Sequence, residues 1–433
     1  MTALATTTQS RTDARVRHGV GFWVIALAFL TQMAFCAVPT PLYAIYQQRD
    51  GFATIVVTVV FSVYALGVVL SLYLAGHVSD WLGRRRVIVG SLLVNVLAAA
   101  LFLVWNDVAG LVVARFVSGL GIGALTATAT AHLAELNTVA RRPEGRAGMV
   151  STSANLGGIG LGPLVGGLIA TWSDHPLTMP FAIFAVVMAV EAVLVALVPE
   201  TVDRPERRPA YAPQRIAVPA DSRSVFWSAG ASAFGSFAVL GTFMGLSPTF
   251  LVGVLGQHSH LLAGVVPFVV FASAAVAQLL TASLPARTQT LLGIGLAVLG
   301  LAGLAVSAPT ASLPTFVAGG GVAGAGVGIL FRAALGTAAS VAAPGRRGET
   351  LAGVFLVAYA GMTVPVLLTA VALSVWPPVD VLVGLSVLAA VLVAVAGSRL
   401  VRLSGLEGRQ APRVQDGRAH SGTPWKATGR TNR

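Results

Sequence analysis

Gly76-His77-Val78-Ser79-Asp80-Trp81-Leu82-Gly83-Arg84-Arg85-Arg86 separates two apolar stretches, near 53–74 and 87–105, and its layout decides how the rest of the chain is read. Asp80 stands four residues after Gly76, Gly83 follows three residues later, and three arginines come next. Gly83 permits a tight turn between two helices. Asp80, at a helix end, can pair with the arginines or cap the N-terminus of a neighbouring helix. Such a cluster belongs on one side of a membrane, because guanidinium groups are costly in hydrocarbon.

The flanking stretches are two of a series. Spanning a hydrocarbon core takes roughly 20 apolar residues. Segments of that kind lie near 20–43, 53–74, 87–105, 109–134, 148–171, 178–199, 225–251, 261–283, 289–307, 313–339, 350–375 and 379–401. A chain with 55% hydrophobic residues, 10% charged residues and a mean hydropathy of +0.81 is no soluble domain. An outer-membrane barrel would show shorter alternating segments of about ten residues, and none appears. The fold class expected is all-α: a polytopic membrane protein with twelve transmembrane helices.

A formal charge of +12 first suggests an acidic partner such as nucleic acid, but the placement of the charges excludes it. Arg11, Arg15, Arg17, Arg84 to Arg86, Arg141, Arg142, Arg146, Arg204, Arg207, Arg208, Arg215, Arg223, Arg287, Arg346, Arg347 and Arg399 all fall in alternate loops or tails. The opposite loops keep Arg49 alone, beside Asp50, Asp107, Asp174 and Asp380. This positive-inside pattern predicts both termini in the cytoplasm of a bacterial cell, with the chain multi-pass in the inner membrane. Cys36 is the only cysteine, so neither a disulfide framework nor a Cys-based metal site is expected, and no cofactor is called for.

Residues 200–224 mix prolines with charges of both signs and divide the chain into halves at 20–199 and 225–402, with tails at 1–19 and 403–433, the latter expected to be disordered. Phe116-Val117-Ser118-Gly119 recurs as Phe316-Val317-Ala318-Gly319; at that offset Gly121 matches Gly321, and His132 matches Arg332. Phe22-Trp23 and Phe226-Trp227 open the first and seventh segments alike. Two pseudo-symmetric six-helix halves are the expected architecture, and such halves rock around a site between them.

The Gly76–Arg86 loop resembles the signature loop of the major facilitator superfamily. Arg115 followed by Gly119, Gly121 and Gly123 is similar to that family's fourth-helix pattern. Gly158, Gly162, Pro163, Gly166 and Gly167, within GGIGLGPLVGG, look like the fifth-helix antiporter pattern of proton-coupled drug exporters. Pro199-Glu200-Thr201 also recurs there. The departures are Trp81 where the family places a basic residue, and a first helix without the acid that many exporters use. Three of the fifth-helix glycines are four residues apart, which makes a smooth strip, and Pro163 bends it; the pair is expected to act as hinge or seal between moving halves.

The resemblance implies roles for the remaining residues. Gly76, Asp80, Gly83, Arg84, Arg85, Glu135, Arg142 and Arg146 form a cytoplasmic latch. Arg115 faces the central cavity, where it influences proton release or accepts an anionic group; alternatively it is a structural arginine bonded to backbone carbonyls. Glu191, near the middle of the sixth segment, is either a coupling carboxyl or a structural one. Gln32, Phe35, Tyr64, Asn155, Phe237 and Tyr359 are expected to line the cavity and suit aromatic or amphipathic molecules. HExxH, P-loop and GxSxG motifs are missing, so an enzyme is not expected. The reading is a monomeric secondary transporter in the lipid bilayer that expels small amphipathic molecules against protons. Its alternatives are uptake or facilitated exchange of a metabolite such as a sugar or organic acid and, last, a non-transporting receptor or scaffold.

Overall fold

The computed structural model describes residues 2–76, 78–143, 145–202, 222–343 and 347–410. Most of the central loop, the tail beyond 410, and Arg204, Arg207, Arg208, Arg215 and Arg346 lie outside the described residues. Among the described residues there are no strands, and twelve helices are long and apolar enough to cross a membrane. They are α1 (His18–Asp50), α2 (Thr54–Ala75), α3 (Arg84–Val104), α4 (Val108–Val139), α5 (Arg146–Trp172), α6 (Met179–Ala196), α7 (Arg223–Gly253), α8 (His260–Leu280), α9 (Ala286–Thr310), α10 (Leu313–Ser340), α11 (Gly348–Ala372) and α12 (Pro378–Leu403).

Two helices depart from regular geometry. Pro39 and Pro41 interrupt α1, because a proline ring lacks the N–H that the ladder needs, and a 3-10 turn at Thr40–Leu42 leads into Tyr43–Asp50. In α5 a π-helical turn, Ser153–Gly157, precedes the glycine run Gly158–Trp172. Single π turns of this kind concentrate at functional sites.

Burial varies widely among the helices. The most apolar windows of α1 and α7 are 72% and 78% buried, those of α3, α6 and α9 are 39%, that of α11 is 33% and that of α12 is 28%. Leu197, Leu280 and Leu388 are exposed at 77%, 76% and 67%, side chains for which lipid is the natural solvent. Within the first half α4 packs on α1, α2 and α3, and α3 packs on α6; within the second α10 packs on α7, α8 and α9, and α9 on α12. The halves meet where α5 packs on α8 and α2 on α11, two pairings that a pseudo-two-fold exchanges.

The repeat is present, but in another register than the one read from Phe116 and Phe316. A Cβ on Gly119 or Gly123 would strike α2, at Tyr64 and Val68, and one on Gly121 would strike Asn95 of α3. In α10 the residues with the same partners are Gly324 and Gly328, which meet Val270 and Ala274 of α8, and Gly326, which meets Ala297 of α9. Gly119-x-Gly121-x-Gly123 therefore corresponds to Gly324-x-Gly326-x-Gly328. Gly319, matched in sequence to Gly119, faces α9 instead of α8. His132 and Arg332 are accordingly not equivalent, and the position equivalent to Arg115 is Gly320.

The two ends of the bundle differ. One carries the arginine loops and is called the basic end; the other, with Asp50, Asp107, Asp174 and Asp380, is the far end. A continuous apolar core crosses both halves, but Phe226, Ala229, Ala233, Phe331, Ala334, Ala338, Val354, Ala358 and Leu400 form a separate core at the basic end of the second half. The halves share their packing toward the far end and diverge at the basic end.

Candidate functional site

The seam between the halves is built from α5, and its two faces do different jobs. Gly158, Gly162 and Gly166, the strip read as a seal between halves, pack on α1 of the same half: added Cβ atoms would lie 2.6 Å from the Leu30 carbonyl, 2.9 Å from Ala37 Cβ and 2.9 Å from Pro41 Cγ. The opposite face makes the seam. A Cβ on Gly160 would come within 3.1 Å of Phe271, and one on Gly167 within 2.7 Å of the His260 carbonyl and 3.1 Å of Gly264 Cα. Gly264 of α8 lies against the Pro163 carbonyl. Gly160 and Gly264 escaped the sequence reading; the signal for Gly160 was the i, i+3, i+7 spacing of Gly160, Pro163 and Gly167, which places these three on one face, whereas Gly264 is joined to them only by packing.

At the basic end the predicted latch is a compact network within the first half. Arg84 pairs with Asp80 and Glu135, the latter at 3.1 Å, and its Nη1 donates to Ser79 Oγ at 2.6 Å. Asp80 is 62% exposed, and an exposed ion pair contributes only about 0–1 kcal/mol. Glu200 has the stronger position. Its Oε1 accepts the Arg84 backbone N–H at 2.9 Å and its Oε2 that of Arg85 at 3.3 Å, so the carboxylate caps the positive end of α3. Gly83, at φ 102°, leaves room for that carboxylate: an added Cβ would sit 2.5 Å from Glu200 Oε2. The cap foreseen for Asp80 is thus supplied by Glu200 from the end of α6.

Other latch residues are distributed around it. Thr201 Oγ1 donates to Glu135, the Arg85 guanidinium reaches the Ala196 and Val198 carbonyls, and His132 meets the Pro199 carbonyl at 3.2 Å. Gly76 closes α2 through its N–H to Leu72. Arg146 lies outside the network, its guanidinium 4.9 Å from the Phe22 ring and 5.3 Å from Trp23, and Arg142 contributes its backbone to a turn with Asn137. Replacing Glu200 with alanine should cost about 1–2 kcal/mol through loss of the cap. Thermal unfolding of the purified protein measures it, with Asp80→Ala changing the midpoint much less.

Deeper in the first half lie two buried ionisable groups. Arg115 is 1% exposed. Its Nη1 donates to the Cys36 carbonyl near the proline break of α1, its guanidinium lies 4.7 Å from the Tyr64 ring centre and 5.9 Å from that of Phe61, and its Nε has no partner. No carboxylate among the described residues pairs with it. Cation–π contacts contribute about 0.5–2 kcal/mol each, which offsets part of the several kcal/mol that desolvating a lone charge costs. Glu191, 3% exposed, is the only fully buried carboxylate among the described residues. Thr31 Oγ1 donates to its Oε1 at 2.8 Å and its Oε2 is unpartnered.

Two cavity candidates turn away from the path between halves. Gln32 is 0% exposed and accepts a hydrogen bond from Asn95 of α3, while Phe35 packs edge-on against Phe102 of α3 and beside Phe184 of α6. Both belong to the interior of the first half, because α1 directs that face toward α3 and α6. Asn155, half-buried, lies in the π turn of α5. Phe237 and Tyr359, also half-buried, meet at 5.6 Å and join Phe331 and Phe355 in an aromatic wall from α7, α10 and α11. Phe331 and Phe355 were not anticipated; only packing joins residues from three helices. No cluster of three His, Cys, Asp or Glu among the described residues is placed to hold a metal.

Comparison with known proteins agrees with this architecture. The uncharacterised MFS-type transporter Rv1877 of Mycobacterium tuberculosis (strain H37Rv) is 29% identical over 189 residues, which cover 42% of this chain and 26% of that protein's length. The human organic anion transporter MFSD10 (TETRAN) superposes with a TM-score of 0.65 at 19% identity, over 87% of this chain and 99% of that one. A bacterial homologue of the human lysosomal transporter Spinster, inward-facing and unoccupied, superposes at 0.67 and 14% over 92% and 99%. The nucleoside transporter NupG superposes at 0.66 and 12% over 88% and 99%. These solved structures share the fold. The Major Facilitator Superfamily family model matches residues 22–364, most of the membrane region, and the chain belongs to that superfamily of transporters.

Proposed function

We propose that this secondary transporter is a proton-driven exporter of small amphipathic molecules, seated in a bacterial inner membrane with its basic end in the cytoplasm. The observation that carries this reading is the seam: Pro163 and Gly167 of α5 lie backbone to backbone on Gly264 of α8, and Gly160 of the same face lies against Phe271. Backbones in such contact can roll against each other, and the core is shared only toward the far end. In this reading the rings of Phe237, Phe355 and Tyr359, packed around Phe331 on α7, α10 and α11, are the surface offered to flat apolar cargo with few polar groups. The glycine pattern of α5 supports export over uptake through its resemblance to antiporters.

Glu191 supplies the proton site of this proposal. Its buried carboxyl has one hydrogen-bond donor, an unpartnered oxygen and no cation within ion-pair reach among the described residues, so gain and loss of a proton changes its local energy strongly. Thr31 connects it to α1, the helix whose Cys36 carbonyl holds Arg115. The reading is tested in energised inverted vesicles that carry a pH-sensitive quenched dye. Adding lipophilic cations, antibiotics or organic acids should release protons and restore fluorescence in vesicles with the protein and not in those without it. No recovery with any compound, despite verified insertion, replaces export with a metabolite facilitator.

A further inference from the structure

At the basic end of the second half an open groove of about 480 Å³ runs between α7 and α12, outside the separate core to which Phe226 and Leu400 belong. Ser224, Trp227 and Ser228 line it from α7, and Arg399, Arg402 and Leu403 from α12. In each helix the three residues are spaced i, i+3, i+4, so they share one face. Both arginines are exposed, and neither forms an ion pair among the described residues. No carboxylate lines the groove. Two guanidinium groups one turn apart repel each other, and an anion between them relieves both.

The first half treats its matching tryptophan differently. Phe226 meets Trp227 edge-on at 5.5 Å, as Phe22 meets Trp23, and both tryptophans are exposed near the basic end. Over the first pair lies Arg146, 4.9 Å from the Phe22 ring and 5.3 Å from that of Trp23. In the second half the arginines come from α12 instead and leave an open groove beside Trp227.

What carries the anion follows from the rest of α12. Leu388, Val391 and Val395 are exposed at 67%, 55% and 50%, and by helical spacing they share the face that bears Arg399 and Arg402. This apolar stripe leads, at the membrane surface, into two arginines with an indole at headgroup level. The order matches a phospholipid lengthwise, from acyl chain through glycerol to phosphate. A free phosphate makes no use of the stripe.

We propose that this groove binds an anionic phospholipid of the leaflet that borders the basic end. Arg399 and Arg402 hold its phosphate, the Ser224 hydroxyl donates to a phosphate oxygen, Trp227 lies beside the glycerol, and an acyl chain follows Val395, Val391 and Leu388. The site goes beyond the export reading and does not depend on it.

Native mass spectrometry of the full chain, titrated in detergent with phosphatidylglycerol or with phosphatidylcholine of the same acyl chains, tests the site. The first phosphatidylglycerol should bind roughly thirtyfold more tightly than phosphatidylcholine, the advantage that two arginines near a membrane surface provide. Arg402→Gln should lower that ratio about fivefold, and Arg399→Gln with Arg402→Gln should bring it near one. Because both side chains are exposed and unpaired, the double variant should unfold at the wild-type temperature in phosphatidylcholine. Arg287→Gln, which removes an exposed arginine outside the groove, should leave the ratio unchanged. Equal affinity for the two lipids in the wild type, or a preference that survives the double variant, overturns the site. A matching loss in Arg287→Gln assigns the preference to general surface charge and overturns it too. Displacement of the lipid by an equal concentration of glycerol 3-phosphate makes this a soluble-phosphate site and overturns the lipid assignment.

Discussion

Replacing Gly264 with leucine abolishes transport while each half still folds. Gly264 lies against the Pro163 carbonyl, and an added Cβ would also stand 3.2 Å from Gly167 Cα. Backbone cannot withdraw as a flexible side chain can, so the added atoms push α5 and α8 apart. Overpacking of this kind costs about 1–3 kcal/mol, which here falls on the one arrangement in which the far end is closed. Converted to populations, that is a shift of roughly 5- to 150-fold away from the closed seam, enough to stall the cycle. Gly295→Leu is the control, since an added Cβ there meets nothing within 4 Å. Transport per amount of inserted protein decides the matter. A Gly264→Leu protein with a normal rate would show that the seam does not move.

Glu191→Gln uncouples the transporter without disabling it. Glutamine keeps the oxygen that accepts Thr31 at 2.8 Å and has nearly the same volume, so the contact with α1 survives and protein levels stay normal. What is lost is the ability to change charge. Flux driven by a pH gradient should fall to background, while exchange of labelled for unlabelled substrate continues, because exchange needs no net proton movement. Thr31→Val gives an intermediate result, since it removes the hydroxyl donor and leaves the carboxyl. Gradient-driven flux that persists in Glu191→Gln removes this residue from coupling and leaves it a structural hydrogen-bond acceptor.

The spans and their grouping were legible because they rest on additive quantities. About 20 apolar residues are needed to cross a membrane whatever surrounds them, and the arginines of 84–86 are excluded from hydrocarbon wherever their neighbours lie. The duplication was visible too, but its register was not. Phe116-Val117-Ser118-Gly119 and Phe316-Val317-Ala318-Gly319 match in letters, whereas Gly119-x-Gly121-x-Gly123 and Gly324-x-Gly326-x-Gly328 match in the helices they touch. Letter identity favours the first pairing. Only packing shows that the side turned toward α2 in one half is turned toward α8 in the other.

The glycines of α5 make the same point at the site. Their number and Pro163 announce a smooth, bent helix, since these follow from missing side-chain atoms and a missing N–H. Which face meets the moving half depends on how α5 is rotated between α1 and α8, and a rotation of about 100° per residue exchanges Gly162 for Pro163. Gln32 and Phe35 were misplaced for that reason. Depth along α1 follows from residue number, but direction around its axis is set by α3 and α6, which supply Asn95, Phe102 and Phe184. Hydrophobicity, charge exclusion and backbone chemistry are properties of each residue and its chain neighbours, so twelve spans, their basic loops and a kinked glycine helix are written locally. The α3 cap from Glu200, the lone charge of Arg115 and the Gly264 seam each join residues far apart in the chain, and exist only once the helices have chosen their partners.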